Sequence, residues 1–279
     1  MTERKLLAIL AHPDDETFGI GGTLALYAAQ GVKTHLVCTT RGEAGDMPAE
    51  LLEGFQSAAE RREYELRCAV EKLGLAGVHM LGYRDSGMAG SSDNLHPDAL
   101  INASLEEVTR KIAHYIREIR PQVVITHDPI GGYRHPDHIT THQAATAAFF
   151  TAADPDDIGD LLPFTAQKLY FHSLSKTFLR FSVRMMILTG KDPRKFGRNH
   201  DIDLLSISET NFPTHAVINY RPVVKVRNQA SACHISQGGA AQSLTRRLLQ
   251  WISPKETFMQ AYPAPCGDRV STDLFENIT

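Results

Sequence analysis

The residues of this chain whose types and spacing could do chemistry fall in two short stretches. The first is Ala11-His12-Pro13-Asp14-Asp15-Glu16 and the second is His135-Pro136-Asp137-His138. Imidazole nitrogen and carboxylate oxygen are donors for zinc, and a catalytic zinc keeps three protein ligands and one open position. His12 and Asp15, three apart in a loop, can curl onto one ion, and His138 would supply the third ligand. Asp14 then has no ligand role and is free to take a proton from a water whose pKa zinc lowers towards ~7. His135 and Asp137 form a further pair. An acid beside a His fixes its tautomer and stabilises imidazolium, which suits an oxyanion stabiliser or a general acid. One divalent metal, Zn2+ or another, with these six residues describes a metal-assisted hydrolysis centre for an amide or ester carbonyl.

Each stretch hangs on a strand. Leu6-Leu7-Ala8-Ile9-Leu10 stops abruptly at the first, and Val123-Val124-Ile125-Thr126-His127 runs through the loop 128–134 into the second. Ligands bind at the carboxyl edge of such sheets, so both stretches point at one site. Either His-Pro-Asp alone would read as a turn with an Asx cap; two at one sheet edge favour the metal. Strand signals over 5–11, 32–39, 78–81 and 123–127 alternate with helical ones over 22–30, 57–73, 100–119 and 139–152. That alternation predicts a Rossmann-like, three-layer αβα fold with a mainly parallel sheet. One domain, 1–279, is expected, with a core and metal site in 1–152 and a pocket-forming C-terminal part in 153–279. In that part 168–173 and 216–220 read as strands and 223–237 as a helix. Residues 175–212 show no clean period and read as an insertion that shapes the pocket, and the tail at 262–265 as irregular surface chain.

Other residues are read more plainly. His142, four after His138, could chelate with it as in His-Glu-x-x-His enzymes, but a place behind the ligands fits better. Tyr133 falls at the mouth of the site. His35, His79, His114 and His172 have no partner pattern. Gly19-Ile20-Gly21-Gly22 lacks the full dinucleotide fingerprint and follows an acidic loop, so it predicts a close helix–loop approach. Cys38, Cys68, Cys233 and Cys266 share no metal-type spacing and read as reduced packing residues. The net charge of −3 and the absence of a dense basic tract argue against nucleic acid. Arg61-Arg62 and Arg246-Arg247 sit in helical patterns. No stretch reaches the ~18 apolar residues of a membrane span, and no signal-peptide pattern opens the chain, so no membrane and a cytoplasmic location are expected.

These motifs resemble the LmbE-like (PIG-L) zinc-dependent N-acetylglucosaminyl deacetylases. Arg62-x-x-Glu65-Leu66 before Leu73-Gly74, and Leu81-Gly82-Tyr83-Arg84-Asp85-Ser86-Gly87-Met88, are similar to the family's second block, closest to the mycothiol-pathway deacetylases and conjugate amidases. Ala230-x-x-x-His234-x-x-Gln237 is similar to its C-terminal His-x-[ST]-Gln motif. The resemblance implies zinc on His12, Asp15 and His138, with Asp14 as general base. It implies His135, oriented by Asp137, on the oxyanion or leaving amine, and Arg62, Asp85 and Tyr133 on the substrate side. It also implies His234 as a site-lining residue. The expected activity is hydrolysis of an N-acetyl or other N-acyl group on a small GlcNAc-type amino sugar. An amidase on a larger thiol–sugar conjugate is the alternative. A non-catalytic sugar- or metal-binding module is disfavoured by Asp14, which binding alone would not need. The sequence leaves a homo-oligomer open.

Overall fold

A computed structural model describes residues 3–156, 161–173, 176–196, 202–239, 254–265, 267 and 269–278. Ser175, Arg246-Arg247 and Cys266, named above, lie outside them. The strands are β1 (Lys5–Leu10), β2 (Lys33–Thr40), β3 (Gly77–Tyr83), β4 (Val123–His127), β5 (Lys168–Ser173), β6 (Ala216–Asn219) and β7 (Lys255–Tyr262). The helices are α1 (Asp15–Phe18), α2 (Gly21–Ala29), α3 (Ala58–Leu73), α4 (Leu105–Ile119), α5 (Gly131–Arg134), α6 (Pro136–Thr151), α7 (Lys176–Leu188), α8 (Leu204–Glu209) and α9 (Val224–Ser231).

The strands form one sheet in the order β3-β2-β1-β4-β5-β7-β6. β1 to β5 run parallel, and β7 runs antiparallel to both its neighbours. The chain winds outward from β1 to β3 and returns to the other side of β1 as β4. That reversal opens a crevice beyond the carboxyl ends of β1 and β4. β1 is apolar at successive positions because both its faces are covered. Leu6, Ala8 and Leu10 pack in one buried layer with Leu24 of α2, Leu66 of α3 and Ala230 of α9. Leu7 and Ile9 pack in the opposite layer with Ile112 of α4 and Ala144 of α6.

Two helix starts bear on the site. The Ser57 hydroxyl accepts the Glu60 N–H at 3.2 Å, and Gly74 closes α3 in the left-handed region at φ 73°. This fixes the helix that carries Arg62. At α2, a Cβ on Gly22 would come within 2.1 Å of the Tyr220 ring. The Gly22 and Thr23 N–H groups donate to the Glu256 carboxylate at 2.9 and 2.7 Å. The protein's own anion thus fills the helix terminus where a phosphate would sit. The glycine run serves close packing.

Several expectations need correction. The C-terminal helix ends at Ser231 and gives way to a tight 3-10 turn, Ile235–Gln237. Lys255–Tyr262, unread as a strand, lies between β5 and β6. Its alternation is blurred by Lys255, Glu256, Thr257 and Gln260. Within the supposed irregular insertion, Leu179 and Val183 of α7 pack on Leu204 and Ile207 of α8. The cysteines are not all unpaired: Cys68 of α3 and Cys233 after α9 form a disulfide, with Cα atoms 5.8 Å apart and a sequence separation of 165. Packing of α9 on α3 brings them together, which spacing could not show. Among the described residues, no helix is long and apolar enough to cross a membrane.

Candidate functional site

The loops leaving β1 and β4 meet over the crevice. His12 follows β1, Asp15 opens α1, and His138 rides in the first turn of α6, three residues earlier than the sequence places that helix. Pro136 starts α6 where its missing N–H costs nothing. Gly131, at φ 67°, lets the preceding loop pass close beneath it, since a Cβ there would lie 2.9 Å from His138 Cβ.

His138 Nε2 lies 3.1 Å from His12 Nδ1 and 3.3 Å from Asp15 Oδ2, and the last two atoms are 3.6 Å apart. Three donors on one tetrahedral metal at its usual bond lengths lie about 3.3 Å apart, so these atoms fit a single ion. The other ring nitrogen of His12, Nε2, donates to Asp137 Oδ2 at 3.1 Å, and Ser86 N–H holds that oxygen at 2.9 Å. An outer carboxylate of this kind fixes the orientation of a ligating His. Burial opposes a charge on His12, but Asp85, Asp137 and Asp15 outweigh it and raise its pKa well above the usual His range. So much negative charge around buried imidazoles suits a cation.

Two neighbouring rings are less suited to ligation. His127 stacks on His138 at 3.9 Å, but its Nε2 accepts the Ala11 N–H at 3.0 Å and so has no lone pair to offer there. His142 bonds the His127 carbonyl at 2.9 Å and packs on Phe171. It does not join His138 as a chelating pair.

Asp14 has φ 129°, a strained value for a residue with a side chain. Its N–H donates to Glu16 Oε2 at 2.9 Å, and its carbonyl accepts the N–H groups of Thr17 and Phe18. The side chain is held by Arg62, whose Nη2 donates to Asp14 Oδ2 at 3.1 Å. Burial pushes the Asp14 carboxyl up to about 6, against the pull of the guanidinium. Arg62 is buried and also donates to the carbonyls of Gly42 and Pro13, each at 2.7 Å. Expected on the substrate side, it clamps the Asp14 loop as well as lining the cavity.

Asp85 Oδ1 lies 3.5 Å from His12 Nε2, and its Oδ2 lies 3.8 Å from Arg62 Nη1. Burial would raise its carboxyl, but His12 and its other partners hold it far below the usual range. Tyr133 meets the His138 ring edge-on at 5.0 Å.

The expected His135–Asp137 ion pair is not formed. His135 is the N-cap of α6, and its Nδ1 accepts the Asp137 backbone N–H at 3.2 Å, while the Asp137 carboxylate turns inward to His12. Burial, with His12 and His138 nearby, pushes His135 down to about 2, which favours a neutral ring over an imidazolium. His234 is also corrected. It is fully buried behind the wall, its Nε2 bonded to Glu16 Oε1 at 2.6 Å, and its neighbours Ile235–Gly238 line the cavity instead. Sequence reasoning gave no role to Glu16, although it stands inside the first motif.

The cavity over these groups measures about 620 Å³. His12, Asp14, Asp85 and His135 line it, with Tyr133 and Arg62 beside them, and Leu51, Met88, Ile202 and Ile235 also face it. A strained acid and an imidazole that line one cavity, with the donor triangle reaching it through His12, can polarise a carbonyl, remove a proton from water and return it.

Comparison with known proteins gives the same direction. The sequence pattern of the family described as "PIG-L: GlcNAc-PI de-N-acetylase" matches residues 7–149. The chain is 36% identical to a 1D-myo-inositol 2-acetamido-2-deoxy-alpha-D-glucopyranoside deacetylase of Thermobifida fusca, over 99% of this chain and 100% of that one. It is 35% identical to 1D-myo-inositol 2-acetamido-2-deoxy-alpha-D-glucopyranoside deacetylase 2 of Catenulispora acidiphila, over 94% of this chain and 90% of that one. Among solved structures, the 4-carboxy-2-hydroxymuconate hydratase of Pseudomonas putida superposes with a TM-score of 0.63 at 18% identity, covering 95% of this chain and 99% of that one. That similarity establishes the fold, which therefore hosts more than one chemistry.

Proposed function

The chain belongs to the PIG-L family of de-N-acetylases, and on that premise we propose that it is a zinc-dependent hydrolase of the N-acetyl group of a GlcNAc unit linked to inositol or a similar polyol. The observation that carries the reading is the Asp14 carboxylate, clamped by Arg62 beside the donor triangle of His12, Asp15 and His138. The deacetylase names of the relatives that match nearly the whole chain support it.

His12 Nδ1, Asp15 Oδ2 and His138 Nε2 would hold the metal. When bound, a divalent metal there supplies Lewis-acid polarisation of water and of the amide oxygen. Asp14 removes the proton from the attacking water. As the carbon–nitrogen bond breaks, Asp14 delivers that proton to the departing amine, and acetate leaves with the water oxygen. Burial raises the Asp14 carboxyl above the usual carboxylate range, which makes it a better proton acceptor for this two-way role. Neutral His135 faces the developing oxyanion as a hydrogen-bond donor through Nε2, because Nδ1 is tied to the backbone. Asp137 orients His12. The cavity also has room for a larger amide, and the apolar side chains of Leu51, Met88, Ile202 and Ile235 favour a thiol–sugar conjugate as the second reading.

The test is release of free amine and acetate from N-acetylglucosaminyl-inositol by the zinc-loaded protein, with chelated protein as control. Turnover of the conjugate amide alone would select the second reading. Turnover of neither, with metal bound, would overturn both.

A further inference from the structure

Helix α7 carries apolar and cationic residues that the site chemistry does not use. Its inner side buries Leu179 and Val183 against α8. Its outer side leaves Phe181, Met185, Ile187 and Leu188 exposed at 53, 42, 56 and 78%. At 100° per residue, Phe181, Met185 and Leu188 fall in one stripe, and Arg180 and Arg184, both exposed, run along its edge. Exposed Lys191 and Arg194 follow the helix, together with half-exposed Phe196. From Arg180 to Phe196 five cations face one acid, Asp192, in a chain whose net charge is −3.

We propose that this face of α7 docks on an anionic lipid bilayer, lying in the interface rather than crossing it. Thirteen residues are too few for the ~20 that a spanning helix needs. An apolar stripe bordered by arginines is the pattern of an interfacial helix, with apolar tips at the acyl boundary and guanidinium groups among phosphates. Charge selects the occupant. A second copy docked face to face would bring Arg180 and Arg184 of both copies together, whereas anionic headgroups complement them. The cluster beneath α7 includes Tyr133 and Ile202, which also line the cavity, so the docked helix would sit beside the site's entrance.

The experiment is vesicle flotation of the full-length protein with phosphatidylcholine vesicles, with and without phosphatidylglycerol. The protein should float with the anionic vesicles, lose most of that binding in high salt, and stay unbound with phosphatidylcholine alone. The double variants Phe181→Ser/Leu188→Ser and Arg180→Glu/Arg184→Glu should each weaken flotation at least tenfold, while the melting temperature stays at the wild-type value. Equal behaviour on both vesicle types, or full binding by either variant, would overturn the proposal. So would a dimer in light scattering that Phe181→Ser/Leu188→Ser dissociates, or retention of polyglutamate without flotation, which would assign the patch to an acidic protein.

Discussion

The Asp137 carboxylate belongs to His12: Oδ2 accepts the His12 Nε2–H at 3.1 Å across 125 residues of chain, although His135 is two residues away. With Nε2 engaged there, Nδ1 is the His12 nitrogen that faces His138 and Asp15. The contact also leaves His135 without a carboxylate partner. The consequences can be measured at each residue.

His12→Ala and His138→Ala should empty the site, and His142→Ala should keep one metal per chain, as read by elemental analysis after dialysis. Asp137→Asn should bind the metal about 10–100-fold more weakly, the usual cost of removing an outer partner of a ligating His. A ligand set that includes His142 would reverse this order.

Asp14→Asn should retain metal and lose kcat by about 10²–10⁴, the range for losing a general base. The Arg62 guanidinium stabilises the ionised form of Asp14 at 3.1 Å, so Arg62→Gln should lower the rate with metal content intact. Near-full activity in Asp14→Asn would remove Asp14 from the mechanism.

The neutral state of His135 gives a prediction opposite to that of an imidazolium acid. With its pKa pushed down to about 2, the ring carries no titrating proton at neutral or alkaline pH. His135→Ala should therefore cut kcat by about 10²–10³, as loss of an oxyanion donor does, and leave the alkaline limb of the pH–rate profile where it is. A limb that vanishes in the variant would restore the acid role.

Much of this arrangement was legible in the sequence, for identifiable reasons. The sheet's parallel half showed because β1 and β4 are buried on both faces and read as continuous apolar runs. The triangle of His12, Asp15 and His138 followed from two motifs at strand ends. Partner choice among adjacent residues was not legible: whether Asp137 turns to His135 or His12 depends on the first turn of α6, where the His135 ring takes the Asp137 N–H. The partners of Glu16 were equally hidden, because His234 lies 218 residues away. The same holds for Cys68 and Cys233, expected as reduced packing residues and found paired across 165 positions of sequence.

Reduction should destabilise the protein. The disulfide joins α3, which carries Arg62, to the segment leading to the Ile235–Gln237 turn. A cross-link over a loop this long contributes up to about 5 kcal/mol by the chain-entropy account. Cys68→Ser and Cys233→Ser should each lower the melting temperature, with little further loss in the double variant. Additive losses would mean that the two sulfurs are not paired.

The last prediction concerns His234 and Glu16, both fully buried. Glu16 Oε1 lies 2.6 Å from His234 Nε2, and Glu16 Oε2 holds the strained Asp14 backbone through its N–H at 2.9 Å. Burial alone would lower the His234 pKa, but the Glu16 carboxylate outweighs it, and the pKa in the folded protein is raised above the ordinary value of 6.5. A folded pKa above the unfolded one means that the pair's protonation-linked contribution is fully present below about pH 6.5 and fades as pH rises through the raised value. The difference in melting temperature between wild type and His234→Gln should accordingly be largest in mildly acidic buffer and shrink towards alkaline pH. Because Glu16 also tethers Asp14, the variant should lower kcat more than it raises KM. A difference that grows with pH would show that His234 is neutral in the folded protein, with Glu16 holding the Asp14 loop unaided.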